Sequence, residues 1–237
     1  MTYSGHMTKS YDLAPPIAMS PGWPEGFASA LRGREGLIIA AALECIAEEG
    51  LNNVSTHRIA KKAGVPQGSI HYHFASKEDL ICRAAEYVCD FVVRAIEAIA
   101  VADMSGIEKI RTVVNLWRPV EIYPPLFVVL IALWAHANAV GGPIREVMER
   151  MFRRYRAVYQ AIAEQGHREG SLSNQASQAL PGILVAMPWG LGLQTAIEPG
   201  CVDWDRLIQA AIATFTTEHG GWESEWTTDK NMTVVDT

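Results

Sequence analysis

The 237-residue chain has few cysteines, few charged residues and no continuous apolar run at its N-terminus. Its four cysteines are too scattered for a disulfide framework or a paired-cysteine metal site, so we expect them in the core of a protein from a reducing compartment. Without an apolar N-terminal run a signal peptide is not expected, and the densest apolar run, residues 124–137, is too short to cross a bilayer. We expect a cytoplasmic protein with no membrane partner.

Acidic residues outnumber basic residues, 26 to 20. The formal net charge is −6, which argues at first against a nucleic-acid-binding protein, because such domains are usually basic. Apolar residues make up 49% of the chain, enough for a sizeable core. Residues 170–197 carry no charge at all. Pro181 and Pro188 make this segment a poor membrane span, so we expect a helix that is buried against protein.

Helical periodicity runs through most of the chain, and strand alternation is absent, so the sequence predicts an all-α fold. Serines and glycines mark where helices start and stop, with Ser55, Ser76 and Ser105 as N-caps and Gly50 and Gly64 as stops. The helices are expected at about 33–49, 55–63, 67–74, 76–100, 105–117, 126–138, 143–167, 175–197 and 203–218.

The most informative segment is residues 54–77, VSTHRIAKKAGVPQGSIHYHFASK. Two short helices flank a turn at residues 63–66, in which Gly64 allows the tight bend and Ala60 and Ala63 allow close packing. This arrangement is typical of a helix-turn-helix, whose second helix enters the major groove of DNA. Residues 55–77 hold four cations and no acid, giving a local charge of +4 against −10 for the rest of the chain.

This segment resembles the DNA-binding domain of the TetR family of transcriptional regulators. The resemblance covers about residues 34–83 and is carried by Ile59-Ala60, Ala63-Gly64-Val65, Gly68-Ser69, Tyr72-His73-Phe74 and Ser76-Lys77-Glu78-Asp79. Two positions depart from the family pattern. Pro66 replaces the usual capping serine, and His71 replaces a tyrosine that commonly touches the DNA backbone.

The resemblance implies a role for each matching position. Gln67, Ser69 and Tyr72 are expected to face base edges, with Gln67 reading adenine and Tyr72 meeting a thymine methyl group. The residues expected at phosphates or at the edge of the site are Arg32, Arg34, Thr56, His57, His71, His73 and Lys77. The start of the helix at Lys77 also points backbone N–H groups towards an anion.

Residues 1–30 are rich in proline and glycine and show no periodicity, so we expect a flexible arm there, and the polar, acidic residues 219–237 are expected to form a flexible tail. Between them, the resemblance implies a helix-turn-helix DNA-binding domain (31–83) and a larger helical domain for effector binding and dimerisation (84–218). No metal is expected, because His71 and His73 lie two residues apart and do not face each other on a helix. No cofactor is expected either.

The resemblance further implies an effector pocket inside the second domain. Small-molecule pockets are commonly lined by aromatic residues with a few polar groups, and this domain contains both. The candidate ligand-binding residues are Trp117, Tyr123, Phe127, Trp134, Asn138, Phe152, Tyr155, Met187, Trp189 and Gln194. The alternative is that these side chains simply fill the core. The helices at 175–197 and 203–218 are the candidates for a homodimer interface, because an uncharged helix needs cover on most sides. Burial within a single monomer is the alternative.

The sequence therefore predicts a ligand-responsive transcriptional regulator, a repressor released from double-stranded operator DNA by a small hydrophobic or aromatic effector. Two alternatives stay open: an activator, or a helical small-molecule-binding protein whose head is not used for repression. An enzyme is not expected, because no catalytic motif or acid–base pair stands at a recognisable spacing.

Overall fold

The computed structural model describes residues 17–116 and 123–215, and these form helices without strands. A short 3₁₀ helix, Phe27–Ala30, precedes the first α-helix. The α-helices are α1 (Gly33–Glu49), α2 (Thr56–Ala63), α3 (Gln67–His73), α4 (Lys77–Ala100), α5 (Gly106–Asn115), α6 (Pro124–Ala139), α7 (Gly142–Arg168), α8 (Asn174–Ile197) and α9 (Trp204–Phe215). The predicted all-α fold is confirmed, and the helix bounds agree with prediction to within about three residues wherever both ends are described.

Local capping explains why the bounds were predictable. The Ser55 and Ser76 hydroxyls accept hydrogen bonds from the amides of Arg58 (3.2 Å) and Asp79 (3.1 Å), which fixes the starts of α2 and α4. Gly64 ends α2 with a φ of 66°, a left-handed conformation that favours glycine. Ser105 forms a capping box with Glu108 at the start of α5.

Helices α1 to α3 form a small head around one core. Ile38, Ile46, Ile59, Ile70 and Phe74 are each at most 2% exposed, and they come from all three helices and the residue after α3. The first turns of α4 close this core with Leu80 and Ala84, which are fully buried. Helix α4 therefore belongs to the head at its start and to the larger helical body along the rest of its length.

Ion pairs join α4 to α7 along the body. Glu86 pairs with Arg150 at 2.9 Å, and Arg154 pairs with both Glu97 (2.9 Å) and Asp90. The two carboxylates hold the pKa of Arg154 above its ordinary value through hydrogen bonds and charge. Where these two helices meet α5, Lys109 is only 5% exposed and donates to the Ala100 carbonyl and to the Gln165 side chain, both at 2.8 Å. Its buried ammonium group is thus hydrogen-bonded.

The segment before α1 is packed, so the prediction of a flexible arm is wrong for residues 17–30. Trp23 is 8% exposed and Phe27 is 1% exposed. The Phe27 ring lies 4.8 Å from that of Phe91 on α4, and the Tyr87 hydroxyl donates to the Phe27 carbonyl. Prolines and glycines hide any periodicity in this segment, but an irregular strap can still bury its aromatic rings. We call residues 17–30 the strap. Residues 1–16 and the predicted tail at 219–237 lie outside the described residues.

Helix α8 leaves much of its surface open. Its most apolar stretch of 18 residues has a mean hydropathy of 1.4, but only 28% of that stretch is buried. Gly182, Ala186 and Gly190 are exposed on one face, which continues through Leu193 (46% exposed) to Ile197 (87%). The described residues therefore leave much of this helix uncovered, and by length and composition alone it is apolar enough to cross a membrane.

The strap makes a direct prediction about stability. Replacing Phe27 with Ala removes a fully buried ring that no neighbouring side chain can replace, so we expect a loss of about 3–5 kcal/mol in the free energy of unfolding. Urea unfolding followed by circular dichroism, at one fixed protein concentration, measures it. Val101→Ala is the control, because Val101 is 84% exposed, and it should change stability by less than about 0.5 kcal/mol. Equal stabilities for the two variants would show that the strap is not packed.

Candidate nucleic-acid interface and adjoining cavity

Helix α3 presents a short row of polar side chains to solvent. Ile70 is 1% exposed and anchors the helix to the head, which turns Gln67, His71 and Tyr72 outward. Tyr72 is 85% exposed, which is high for a large aromatic side chain. The three predicted contact residues on this helix that are most open to solvent therefore share one accessible surface.

The remaining predicted contact residues differ in their exposure. His57 and Arg34 are exposed, while Thr56, Ser69, His73 and Lys77 are half-buried. The ring of His73 lies 5.0 Å from that of Tyr72 and 6.3 Å from that of Phe74, so it is partly held by packing. Phe74 is buried at 2% exposure and receives the guanidinium of Arg83 at 5.6 Å from its centroid.

Two of the four cations in residues 55–77 are occupied by carboxylates of α1. Arg58 pairs with Glu49 at 2.5 Å, and this hydrogen bond raises the pKa of the Arg58 guanidinium. Lys62 pairs with Glu48 at 2.5 Å and with Glu44 at 3.4 Å. The local charge of +4 therefore overstates the positive charge available on the surface. Within residues 17–116 and 123–215, Lys61, Lys77 and Arg34 have no carboxylate within 4.0 Å.

The start of α4 is less open to an anion than its sequence suggests. The Asp79 carboxylate accepts a hydrogen bond from the Ala75 amide at 2.9 Å, and the Ser76 hydroxyl accepts from the Asp79 amide. A backbone hydrogen bond and one from Ser76 lower the pKa of Glu78. Because the chain's own oxygens take up these donors, the Lys77 ammonium is the positive group left at this helix start.

A cavity of about 260 Å³ lies in the helical body, beyond the head. Four of the predicted ligand-binding residues line it: Tyr123, Phe127, Tyr155 and Trp189. Phe127 also fills the space beside Gly192, where an added Cβ would lie 2.4 Å from the ring. Apart from these four, the described lining comprises Pro24, Phe91, Val92, Ala95, Ile96, Val113, Leu116, Leu126, Leu130, Tyr159, Leu184, Val185 and Pro188.

Five other predicted ligand residues do not line the cavity. Trp134 is 44% exposed, and the Asn138 amide donates back to the Trp134 carbonyl at 2.9 Å. Gln194 is exposed, and its side-chain amide donates to the Gly190 carbonyl at 3.2 Å.

The other two residues are less exposed but also lie outside the cavity lining. The ring of Phe152 packs 5.3 Å from the ring of Trp189, and Met187 is half-buried. Helix α6 is apolar on nearly every face, so periodicity alone could not tell which of its residues face inward. Trp117 lies outside the described residues.

The sequence did not identify Pro24 and Phe91 as part of the cavity wall. Pro24 comes from the strap, which carries no periodic signal, and Phe91 lies on α4, a helix from which no ligand-binding residue was predicted. Phe91 also contacts Phe27, so the strap packs against a residue of the cavity wall. The strap also reaches the head, because the Ser20 amide donates to the Glu44 carboxylate of α1 at 2.5 Å.

Comparison with known proteins gives matches to the head alone and matches that extend over the helical body. Residues 38–84 match the family model for bacterial regulatory proteins of the tetR family. The regulator BetI 1 of Chromohalobacter salexigens is 29% identical over 184 residues, covering 75% of this chain and 86% of that protein. The regulator YvdT of Bacillus subtilis is 44% identical over 54 residues, 23% of this chain and 28% of that protein, so that match spans little more than the head.

A solved structure shows the same fold over most of the chain. It is a transcriptional regulator from Saccharomonospora viridis in complex with choline, 23% identical, with a TM-score of 0.67. The similarity covers 76% of this chain and 93% of that one. At this identity the likeness establishes the helical fold of head and body together.

The paired and unpaired lysines of α2 make a matched test. Lys62→Ala leaves the side chain of Glu44, which is 12% exposed, without its cation, so we expect a loss of about 1 kcal/mol in unfolding free energy. Lys61→Ala should change stability by less than about 0.5 kcal/mol. The difference should shrink in roughly 1 M salt, which screens the pair. If both variants unfold alike at low salt, the ion pairs do not hold α2 to α1.

Proposed function

Because the chain belongs to the TetR family of bacterial regulatory proteins, we propose that it is a homodimeric, ligand-responsive repressor that binds operator DNA. The observation that carries this proposal is the exposed row on α3, in which Tyr72 is 85% exposed. Lys61 on α2 and Lys77 at the start of α4 add two cations that have no carboxylate partner among the described residues. A protein that acts on operator DNA works in the bacterial cytoplasm, and its relatives are regulators rather than enzymes.

In this proposal α3 enters the major groove. Gln67, Ser69 and Tyr72 read base edges, and the cations at the sides of α3 contact the two flanking stretches of phosphate. Arg34, Thr56, His57, His71, His73 and Lys77 are the phosphate or peripheral contacts. The pairing of Arg58 and Lys62 with α1 supports a division of labour, in which those two hold the head together while Lys61 and Lys77 attract DNA.

The open face of α8 supports a dimer. Gly182, Ala186 and Gly190 let another helix approach closely, and the uncharged surface from there to Ile197 would be covered by the same helix of a second copy. Helix α9 follows α8 and would complete the interface. A two-fold axis through this surface presents two copies of α3 to the same side of a DNA duplex, where successive major grooves lie about 34–36 Å apart.

The cavity supports the effector part of the proposal. It holds about 260 Å³, just below the usual range of ligand pockets, and its described lining is aromatic and aliphatic with no charged side chain. A small, mostly apolar molecule suits it. For such an effector to release DNA it must bind more tightly to a head arrangement that does not match the operator, since equal affinity shifts no equilibrium.

Coupling between cavity and head is assigned to α4 and the strap. Helix α4 begins at the DNA-facing Lys77 and reaches the cavity at Phe91 and Ile96. The strap contributes Pro24 to the cavity and reaches α1 through Ser20. A change in the cavity wall would thus shift both supports of the head. An activator, or a ligand-binding protein with an unused head, is the alternative if bound effector leaves DNA affinity unchanged.

Two substitutions on the exposed surface test the DNA-binding role. The operator is first recovered by selection from random DNA. Tyr72→Ala removes a base contact and should weaken operator binding about 10- to 100-fold with little effect on nonspecific DNA. Lys77→Ala should weaken binding to all sequences and make the slope of log Kd against log salt shallower by about one.

Lys62→Ala is the matched control, because Lys62 is paired to α1 and should leave the salt slope unchanged. Sedimentation checks that every variant keeps the same oligomeric state. If Tyr72→Ala and Lys77→Ala bind selected DNA as well as the unmodified protein, this surface does not contact the operator.

A further inference from the structure

Two histidines of the helix-turn-helix are exposed to solvent. His57 lies in the first turn of α2 and His71 in the last turn of α3, and both side chains are exposed. His73, the third histidine of this segment, differs from them, because it is half-buried and its ring packs beside those of Tyr72 and Phe74. Packing therefore helps to account for His73 but not for the other two.

The ring nitrogens of His57 and His71 have no partner in the described part of the chain. Among residues 17–116 and 123–215, no hydrogen bond reaches either ring, and no carboxylate oxygen lies within 4.0 Å of a ring nitrogen. By contrast, the Nδ1 atom of His167 lies 3.1 Å from the Leu172 carbonyl oxygen. The interactions that hold the head together therefore do not use the two exposed imidazoles.

The acidic side chains on the surrounding elements are engaged elsewhere. Five of the six acids in residues 31–83 pair with Arg58, Lys62 or Arg83, and they are Glu35, Glu44, Glu48, Glu49 and Asp79. Hydrogen bonds from its own backbone and from Ser76 lower the pKa of the sixth, Glu78. Each acid of this region therefore has partners other than the two imidazoles.

Protonation of His57 and His71 would change the charge of the head. Residues 31–83 carry seven basic and six acidic side chains, a net charge of +1 when the histidines are neutral, and two imidazolium groups raise it to +3. His57 and Lys61 stand four residues apart on α2, so they share one face of that helix, and both are exposed. Because each cation that neutralises a phosphate adds to DNA affinity, the protonation of these side chains bears directly on binding.

We propose that operator binding is coupled to protonation of His57 and His71, so that DNA affinity rises as the pH falls. Histidine is the side chain that ordinarily changes its charge between about pH 5 and 8. A phosphate beside an imidazole stabilises the charged form, so the complex holds protons that the free protein releases. By reciprocity, protons then tighten the complex. The inference rests on the proposed DNA-binding function and adds a regulation of the same surface.

The alternative is that the two imidazoles contact DNA in their neutral form. A neutral ring can donate one N–H to a phosphate oxygen without taking up a proton, and affinity would then not change with pH. The phosphate itself favours the charged form, because a hydrogen bond between two ionised groups is about twice as strong as a neutral one. The two forms are distinguished by measuring the pH dependence of binding.

The first measurement is the Kd for the selected operator at about pH 6 and about pH 8, at constant ionic strength, by fluorescence anisotropy. We expect binding about 10- to 50-fold tighter at the lower pH. The slope of log Kd against log salt should be steeper there by about one to two, because up to two more phosphates are neutralised. Circular dichroism checks that the protein is equally folded at both pH values.

Substitutions assign the effect to the two side chains. His57→Gln and His71→Gln keep a polar group that does not titrate, so each should reduce the pH effect, and the double variant should bind within about threefold at the two pH values. Lysine at both positions should bind tightly at both, because lysine stays charged over this range. His136→Gln makes the same chemical change on α6 and should keep the full pH effect.

The possible results separate this inference from the function on which it rests. Specific operator binding with equal affinity at the two pH values would overturn the histidine coupling alone. The full pH effect in the double glutamine variant would also overturn it, because other groups would then take up the protons. If no DNA sequence is selected at either pH, the proposed regulator fails and the coupling fails with it.

Discussion

Helix α4 is the element on which the rest of this structure depends, because one continuous helix belongs to both halves of the molecule. Its first turns close the core of the head with Leu80 and Ala84, and its later turns give Phe91 and Ile96 to the cavity wall. Ion pairs with Arg150 and Arg154 fix its orientation against α7. In the proposed regulator, a single helix held at both ends would transmit a small displacement at the cavity to the surface that binds DNA.

Ion pairs between helices also change how much positive charge the head presents to solvent. Seen as sequence, the four cations of residues 55–77 form one basic segment on an acidic chain. In the fold, acids of α1 occupy Arg58 and Lys62, so half of that charge serves the cohesion of the head. Three cations without a carboxylate partner among the described residues remain: Arg34 in the first turn of α1, Lys61 on α2 and Lys77 at the start of α4. In the proposed DNA complex, the acidic remainder of the chain would favour docking through the surface that carries these cations.

Signals within a few residues made most of the fold predictable. Ser55, Ser76 and Ser105 cap helices through contacts three residues away, and Gly64 ends a helix through its own backbone, so their effects can be read in sequence. The strap was not predictable, because Phe27 is buried by residues about 60 positions away. The cavity was predicted in part for the same reason: α7 has a clear apolar face that points Tyr155 inward, whereas the evenly apolar α6 gave no reason to exclude Trp134.

The central claim is that head and cavity respond as one unit through α4 and the strap. Hydrogen exchange of the backbone amides, measured with and without selected operator DNA, tests it most directly. The account predicts that DNA slows exchange in the head and also in the strap and around Phe91 of α4. Slower exchange confined to residues 55–77, with the strap and the second half of α4 unchanged, would contradict it.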